Sequence, residues 1–174
     1  MISLSDLRRF KAEARKFSCL TCYDASMAKA MEIAQIDSIL IGDSLGMSIQ
    51  GRDSTLPVTV DDMAYHTAAV RRGNSHAFIM TDLPFMSYAT LNDALQNSRT
   101  VMQAGAQMVK MEGGAWLAET VEVLTRNGIP VCVHLGLTPQ SVHVLGGYKL
   151  QARTREAADQ LIRDCKAVVE AGAA

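Results

Sequence analysis

The sequence of 174 residues predicts an α/β fold in which helices pack against a parallel β-sheet. Three observations predict it. Short apolar segments alternate with longer segments of helical periodicity, as in successive βα units. The short segments are apolar almost throughout rather than alternating with polar residues, as expected of strands buried on both faces. Polar residues follow one strand after another, at the edge where parallel sheets bind ligands.

Each predicted strand is short, apolar and rich in β-branched residues, and turn-forming residues bound it. The five predicted strands span residues 17–24, 38–43, 77–82, 108–112 and 130–135. The first helix precedes the first strand, with Ser5 as its predicted N-cap. The other helices follow the strands, at about residues 26–35, 60–72, 91–104, 116–127 and 154–170. Glycines predicted to stop helices are Gly73, Gly105 and Gly128.

The composition excludes several classes of function. The chain has 17 Lys and Arg against 18 Asp and Glu, so no basic field attracts nucleic acid or anionic membranes. With 48% hydrophobic residues it is not a disordered chain. No apolar run reaches the roughly 18 residues of a membrane helix, and the charged start does not resemble a signal peptide. We therefore expect residues 1–174 to form one domain of a cytoplasmic protein.

The cysteines leave a redox or metal site open as an alternative. Cys19 and Cys22 form a C-x-x-C pair, which occurs in redox sites and in zinc sites. On the predicted strand these two residues point to opposite faces, and no second pair completes a zinc site. Structural thiols are therefore the favoured interpretation for all of them, Cys132 and Cys165 included.

Polar side chains stand at or next to the carboxyl ends of all five predicted strands. They are Asp24, Asp43, Asp82, Glu112 and His134. A turn or a helix cap explains any one of the acids equally well. Taken together, they favour a ligand site at this edge of the sheet.

Three of these acids predict a metal site. Asp43, Asp82 and Glu112 come from successive strands, and carboxylate oxygens without nearby Cys or His suit a hard cation such as Mg²⁺. Lys110 lies two residues before Glu112, so both point to the same face of the strand. A structural ion pair between them is the alternative to a catalytic role for the ammonium.

Ser44 and His134 are further candidates. Ser44 lies in Gly-Asp-Ser-Leu-Gly, which departs from the G-x-S-x-G nucleophile motif, so binding of a substrate oxygen is favoured over nucleophilic attack. For His134, contact with a ligand and burial as a hydrogen-bonded core histidine both stay open.

The sequence resembles the ketopantoate hydroxymethyltransferase family in blocks that follow the family order along nearly the whole chain. The blocks are GDSLGM at 42–47, QGRDSTLPVT at 50–59, AYHTAAVRRG at 64–73, DLPFM at 82–86, VKMEGG at 109–114, HLGLTPQS at 134–141 and GGYK at 146–149. Together they are far more specific than any single short motif.

The resemblance implies a (β/α)₈ barrel, of which this chain holds an N-terminal helix and about five βα units. It also implies an activity: hydroxymethyl transfer from 5,10-methylenetetrahydrofolate to 3-methyl-2-oxobutanoate, giving 2-dehydropantoate for pantothenate and coenzyme A synthesis. Mg²⁺ and a homo-oligomer, commonly a decamer, belong to the same expectation.

The resemblance assigns roles to individual residues. The implied Mg²⁺ ligands are Asp43, Asp82 and Glu112, some direct and some acting through water. The implied keto-acid contacts are Asp43, Ser44, Asp82, Lys110 and His134. Of these, Lys110 and His134 carry the implied catalytic roles.

The chain also departs from the family. A barrel of typically about 250 residues does not close with five βα units, so the domain is expected to be incomplete at its C-terminal side. The implied general base, a Glu on the next strand, lies beyond Ala174, so the chain alone is expected to recognise the keto acid but hardly enolise it. Ala152 stands where we expect a glycine.

Two other functions stay open. One is a Mg²⁺-dependent carbon–carbon lyase or mutase of the isocitrate lyase and phosphonomutase type. The other is a non-catalytic fragment that binds ligands without turnover.

Overall fold

The computed structural model describes residues 1–174 and has a five-stranded parallel sheet. The strands are β1 (Cys19–Thr21), β2 (Ser38–Ile41), β3 (Phe78–Asp82), β4 (Met108–Glu112) and β5 (Val131–His134). Each strand pairs only with its neighbours along the chain, in the order β1-β2-β3-β4-β5. This is the strand order of consecutive units in a (β/α)₈ barrel, so the α/β prediction is confirmed.

The six predicted helices are all present. They are α1 (Leu4–Ala12), α2 (Ala25–Ile33), α4 (Val60–Gly73), α5 (Leu91–Gln103), α6 (Ala118–Arg126) and α8 (Arg155–Glu170). Two helices of four residues, α3 (Leu45–Ser48) and α7 (Val142–Leu145), were not predicted, because one turn is too short to show a period. Two 3₁₀ turns span Ala115–Leu117 and Pro139–Ser141.

Two local predictions need correction. The N-cap of α1 is Ser3 rather than Ser5: Ser3 Oγ accepts from the backbone N–H of Asp6, and the Asp6 carboxylate accepts from the backbone N–H of Ser3. This reciprocal capping box satisfies two backbone donors that Ser5 would leave unpaired. The first strand is also shorter than predicted, since Asp24 caps α2 by accepting from the N–H of Met27 at 2.8 Å.

Alternation along the strands separates two faces of the sheet. Ile79 of β3 belongs to the larger core under the helices, and Thr81 hydrogen bonds to Thr67 of α4. Phe78 belongs to a second, smaller cluster with Ile2 and Met108 on the other face, where residues 1–12 cover the start of the strands. The same period of two directs Asp82 to that second face, at the opposite end of the strands.

Helices α2 and α4 approach each other closely at Gly73. A Cβ atom on Gly73 would lie 2.2 Å from the carbonyl oxygen of Ala25. The next residue, Asn74, donates from its side chain to the carbonyl oxygen of Ala28 at 3.0 Å. The absence of a side chain at position 73 therefore sets the distance between these two helices.

The remaining predictions concern the cysteines and the loop at residue 152. All four thiols are free, Cys22 is buried and Cys19 is exposed. Burial raises the pKa of Cys22 and Cys132 above that of a free thiol. Ala152 adopts φ +55°, a conformation that favours glycine, in agreement with the glycine expected there.

None of the helices combines the length and the apolar character needed to cross a membrane.

Candidate active site

Three buried carboxylates come together at the carboxyl ends of the strands. Asp43 lies just after β2, Asp82 ends β3 and Glu112 ends β4, and each is at most 5% exposed. The backbone N–H of Asp43 donates to Asp82 Oδ2 at 3.1 Å. Lys110 Nζ lies 2.7 Å from Asp82 Oδ1 and 3.8 Å from Glu112 Oε1. The ammonium of Lys110 is thus shared by two of the acids and lies closer to Asp82 than to its predicted partner.

This cluster carries more negative than positive charge. Burial, together with the charges of Asp82 and Glu112, raises the pKa of Asp43 to about 7. Burial also raises the pKa of Asp82, although Lys110 opposes it. Burial disfavours the ammonium of Lys110, but the surrounding carboxylates outweigh that effect and raise its pKa. The single ammonium of Lys110 therefore does not balance the negative charge of the three acids.

His134 is paired with the same cluster. Its Nδ1 lies 2.9 Å from Glu112 Oε1, and its side chain is 37% exposed. Because a carboxylate only accepts hydrogen bonds, Nδ1 is the protonated nitrogen in this pair. In the neutral imidazole, Nε2 is then the nitrogen that can accept a proton. Of the two interpretations of His134, a core histidine does not fit this exposure.

Ser44 lies at the rim, next to a space that a side chain would fill. Its Oγ is 2.8 Å from the hydroxyl of Tyr23 and does not cap α3. A Cβ atom on Gly42 would lie 2.9 Å from Ser44 Oγ and 3.6 Å from Asp82 Oδ2. Glycine at position 42 thus keeps the space between these two oxygens open.

The structure brings together four of the five polar residues found at strand ends. Asp24 is the exception, because its carboxylate caps α2 and takes no part in the cluster. Two residues of the cluster, Tyr88 and Gln140, were missed. Gln140 belongs to the HLGLTPQS block of the family resemblance, which was the one signal for it. Tyr88 follows β3 in a loop and carries no sequence signal of its own.

The donor set fits a hard divalent cation. The oxygens are those of carboxylates, the cluster has excess negative charge, and the ammonium of Lys110, 2.7 Å from the buried Asp82 Oδ1, is the single lysine charge among the three acids. No three His, Cys, Asp or Glu side chains converge as direct ligands of one ion. Mg²⁺ usually takes one or two carboxylates and keeps several waters, so a set with fewer direct ligands still suits it.

A small cavity adjoins the acids. It has a volume of about 120 Å³ and includes Phe85, Met86, Tyr88, Trp116 and Glu112 among its lining residues. Trp116 is 66% exposed and stacks on Tyr88, with ring centroids 6.4 Å apart at 14°. A larger cleft of about 440 Å³ continues from Trp116 toward α8. An aromatic surface therefore lies directly beside Glu112.

Solved structures of other enzymes share this fold. Phosphonopyruvate hydrolase superposes with a TM-score of 0.74 at 16% identity, over 99% of this chain and 61% of that one. A complex of phosphonopyruvate hydrolase with oxalate and Mg²⁺ superposes with a TM-score of 0.73 at 14% identity, over 96% and 59%. At these identities the likeness establishes the fold alone.

Sequence comparison identifies the family. The family model described as ketopantoate hydroxymethyltransferase matches residues 1–174. The 3-methyl-2-oxobutanoate hydroxymethyltransferase of Acinetobacter baumannii strain AYE is 89% identical over all 174 residues. This chain spans 65% of the length of that relative. The chain therefore belongs to the ketopantoate hydroxymethyltransferase family.

Proposed function

We propose that the chain is the metal-binding and keto-acid-binding part of a 3-methyl-2-oxobutanoate hydroxymethyltransferase. The reaction transfers a one-carbon unit from 5,10-methylenetetrahydrofolate to 3-methyl-2-oxobutanoate and forms 2-dehydropantoate. The observation that carries this proposal is the cluster of three buried carboxylates around Lys110, in a chain of this family. Residues 1–174 belong to one catalytic domain of that enzyme.

Asp43, Asp82 and Glu112 supply the oxygen donors for Mg²⁺, directly or through water. Their excess negative charge and the open space at Gly42 support this assignment. The complex of phosphonopyruvate hydrolase, which has the same fold, with oxalate and Mg²⁺ supports it as well. Bound Mg²⁺ would act as a Lewis acid that polarises the keto acid.

Asp43, Asp82, Ser44, Lys110 and His134 bind the keto acid at the rim of the cluster. With Tyr23 donating to Ser44 Oγ, the hydroxyl of Ser44 can in turn donate to a carboxylate or keto oxygen. Lys110 provides a fixed positive charge beside the oxygen on which negative charge develops, which is the usual source of electrostatic stabilisation. His134 Nε2 is free to exchange a proton, because Glu112 holds the proton on Nδ1.

The aromatic surface beside Glu112 suits the folate co-substrate. Trp116 offers an exposed indole face, on which a planar heterocycle can stack. The same cavity reaches Glu112, so a donor bound there would lie next to the keto acid.

The proposed function includes a cytoplasmic location and a homo-oligomer, in keeping with the family resemblance. Multi-angle light scattering of the purified protein measures the oligomer directly. A monomer at all concentrations would contradict that part of the proposal.

The second candidate is a Mg²⁺-dependent lyase or mutase of the phosphonomutase type, because the solved structures with this fold include such enzymes. Turnover assays separate the two. Product from 3-methyl-2-oxobutanoate with methylenetetrahydrofolate supports the transferase, and product from phosphonopyruvate or isocitrate supports the alternative. Binding of Mg²⁺ and keto acid without turnover indicates a binding fragment.

Asp82→Asn is expected to weaken the Mg²⁺-dependent binding of 3-methyl-2-oxobutanoate at least about tenfold, because a charge-assisted ligand is lost. Isothermal titration calorimetry at fixed Mg²⁺ measures the affinity. Asp24→Asn is the matched control, since Asn caps a helix as well as Asp does, and its affinity should equal that of the parent. Equal affinities for all three proteins would assign Asp82 to a turn.

Mg²⁺ is expected to raise the melting temperature, and to do so more at pH 8 than at pH 5.5. The pKa of Asp43 is raised to about 7, so at pH 5.5 the metal must displace a proton, whereas at pH 8 it binds an ionised cluster. At about ten times the dissociation constant, the gain should be about 3–6 °C at pH 8. Differential scanning fluorimetry with Mg²⁺ and with EDTA measures it. A gain independent of pH would contradict binding at this cluster.

A further inference from the structure

Gln140 lies inside the carboxylate cluster, and the proposed chemistry gives it no role. It belongs to the 3₁₀ turn after β5 and is 6% exposed. Its backbone N–H donates to Glu112 Oε2 at 3.0 Å, and its side-chain Nε2 donates to Asp43 Oδ2 at 2.8 Å. This one residue therefore connects the acid after β2 to the acid at the end of β4.

The surrounding contacts determine the orientation of its amide. Nε2 also lies 3.0 Å from the carbonyl oxygen of Leu83, which can only accept, so the nitrogen end is defined. Oε1 is hydrogen bonded to the hydroxyl of Tyr88. The Tyr88 hydroxyl accepts from the backbone N–H of Glu112 at 3.2 Å. Two acceptors lie within reach of its proton, the carbonyl oxygen of Glu112 at 3.1 Å and Oε1 of Gln140, and Oε1 is the nearer. Tyr88 therefore donates its proton to Gln140.

A neutral donor is suited to this position. The carboxylates of Asp43 and Glu112 repel each other and need donors to keep a fixed orientation. A lysine side chain at this position could also donate to Asp43, but its charge would neutralise the cluster and compete with a divalent cation. The side-chain amide of Gln140 holds Asp43, and its backbone N–H holds Glu112, without reducing the negative charge of either acid.

We propose that Gln140, oriented by Tyr88, is a positioning residue that holds Asp43 and Glu112 in the geometry that binds the divalent cation and the keto acid. The part that concerns these ligands rests on the proposed function. The orientation of the amide in the ligand-free protein does not, so the two parts are tested separately.

The first test uses the ligand-free protein and ¹⁵N NMR of side-chain amides, with the Gln140 signals assigned by their absence in Gln140→Met. The protons on Nε2 should exchange with solvent at least about tenfold more slowly than those of exposed glutamines, and Tyr88→Phe should remove most of this protection. Tyr65→Phe is the control, because Tyr65 is 68% exposed and outside the cluster. Unchanged protection in Tyr88→Phe would overturn the orienting role of Tyr88.

The second test measures the binding of Mg²⁺ and 3-methyl-2-oxobutanoate by calorimetry. Gln140→Met should weaken keto-acid binding about tenfold, as expected for a lost hydrogen bond to a charged group. Tyr88→Phe should weaken it less, and the double variant should bind like Gln140→Met alone, because the two residues act as one unit. Val121→Ala, a change on the buried face of α6, is the control for stability: it should lower the melting temperature and leave the affinity unchanged.

Each outcome decides the proposal. Parent affinity in a folded Gln140→Met overturns it, and so does an affinity loss in Val121→Ala equal to that in Gln140→Met at the same loss of stability. If Gln140→Met does not fold, Tyr88→Phe, which keeps the Gln140 side chain, takes its place. Its keto-acid affinity is then compared with that of the parent and with that of Val121→Ala at the same loss of stability. If the parent binds neither ligand, the proposed function fails and the positioning role for ligands fails with it, while the NMR protection still decides the orientation.

Discussion

Lys110→Met is expected to destabilise the metal-free protein by about 3–5 kcal/mol at pH 8, because it removes the one cation from three buried carboxylates. Methionine keeps the length and the apolar stem of lysine, so the loss is one of charge rather than volume. Urea unfolding followed by circular dichroism measures the free energy of unfolding.

The pH dependence of this loss follows from the acids that remain. Burial raises the pKa of Asp43 to about 7 and also raises the pKa of Asp82, so the folded state binds more protons than the unfolded state between about pH 4 and pH 7. Lowering the pH from 8 to 5 should therefore restore much of the stability of Lys110→Met, and Mg²⁺ at pH 8 should do the same.

Lys29→Met is the control for this variant, since Lys29 pairs with Glu32 on the exposed surface of α2. It should leave the free energy of unfolding almost unchanged at both pH values. A Lys110→Met protein as stable as its parent at pH 8 would show that the carboxylates are not ionised together in the ligand-free state.

Gly73→Ala is expected to destabilise the protein by about 1–3 kcal/mol, although alanine favours a helix over glycine by about 1 kcal/mol. The new Cβ atom would lie 2.2 Å from the carbonyl oxygen of Ala25, and backbone cannot yield as the end of a flexible side chain can. Helices α2 and α4 must move apart. Their separation would strain the 2.7 Å contact between His66 Nδ1 and the carbonyl oxygen of Tyr23.

Thermal unfolding measures the change, with a fall in melting temperature of about 2–4 °C for each kcal/mol in a chain of this size. Ala25→Gly, combined with Gly73→Ala, is a specific control. The clash involves the backbone oxygen of residue 25, so removal of the Ala25 side chain should not restore the melting temperature. A higher melting temperature in Gly73→Ala would mean that helix propensity outweighs the contact.

The sequence predicts the acids of the site because parallel strands impose simple geometry. Residues Met108–Glu112 form β4 as predicted, and the period of two along it puts Lys110 and Glu112 on one face. Asp43 and Asp82 then follow from the rule that the carboxyl ends of parallel strands share one edge. No long-range information is needed for any of these placements.

Gln140 could not be found in this way. It belongs to a loop, and its position depends on how that loop folds back over β4, which no periodicity encodes. Asp24 shows the opposite error, since the sequence placed it with the site residues although it caps α2. A strand-end acid and a helix cap have the same sequence signature. The correct N-cap of α1 could have been predicted from the sequence, since Asp6 lies three residues after Ser3 and completes a capping box.

The pairing of each strand with its neighbour along the chain has a consequence for assembly. Paired strands are 19 to 40 residues apart in the sequence and always consecutive, so each βα unit can dock on the one synthesised just before it. The carboxylate cluster would then mature in steps: Asp43 gains its bond to Asp82 with the third unit, and Lys110 and Glu112 arrive with the fourth. Gln140 belongs to the fifth, so the last residue to arrive joins acids whose strands are already in place.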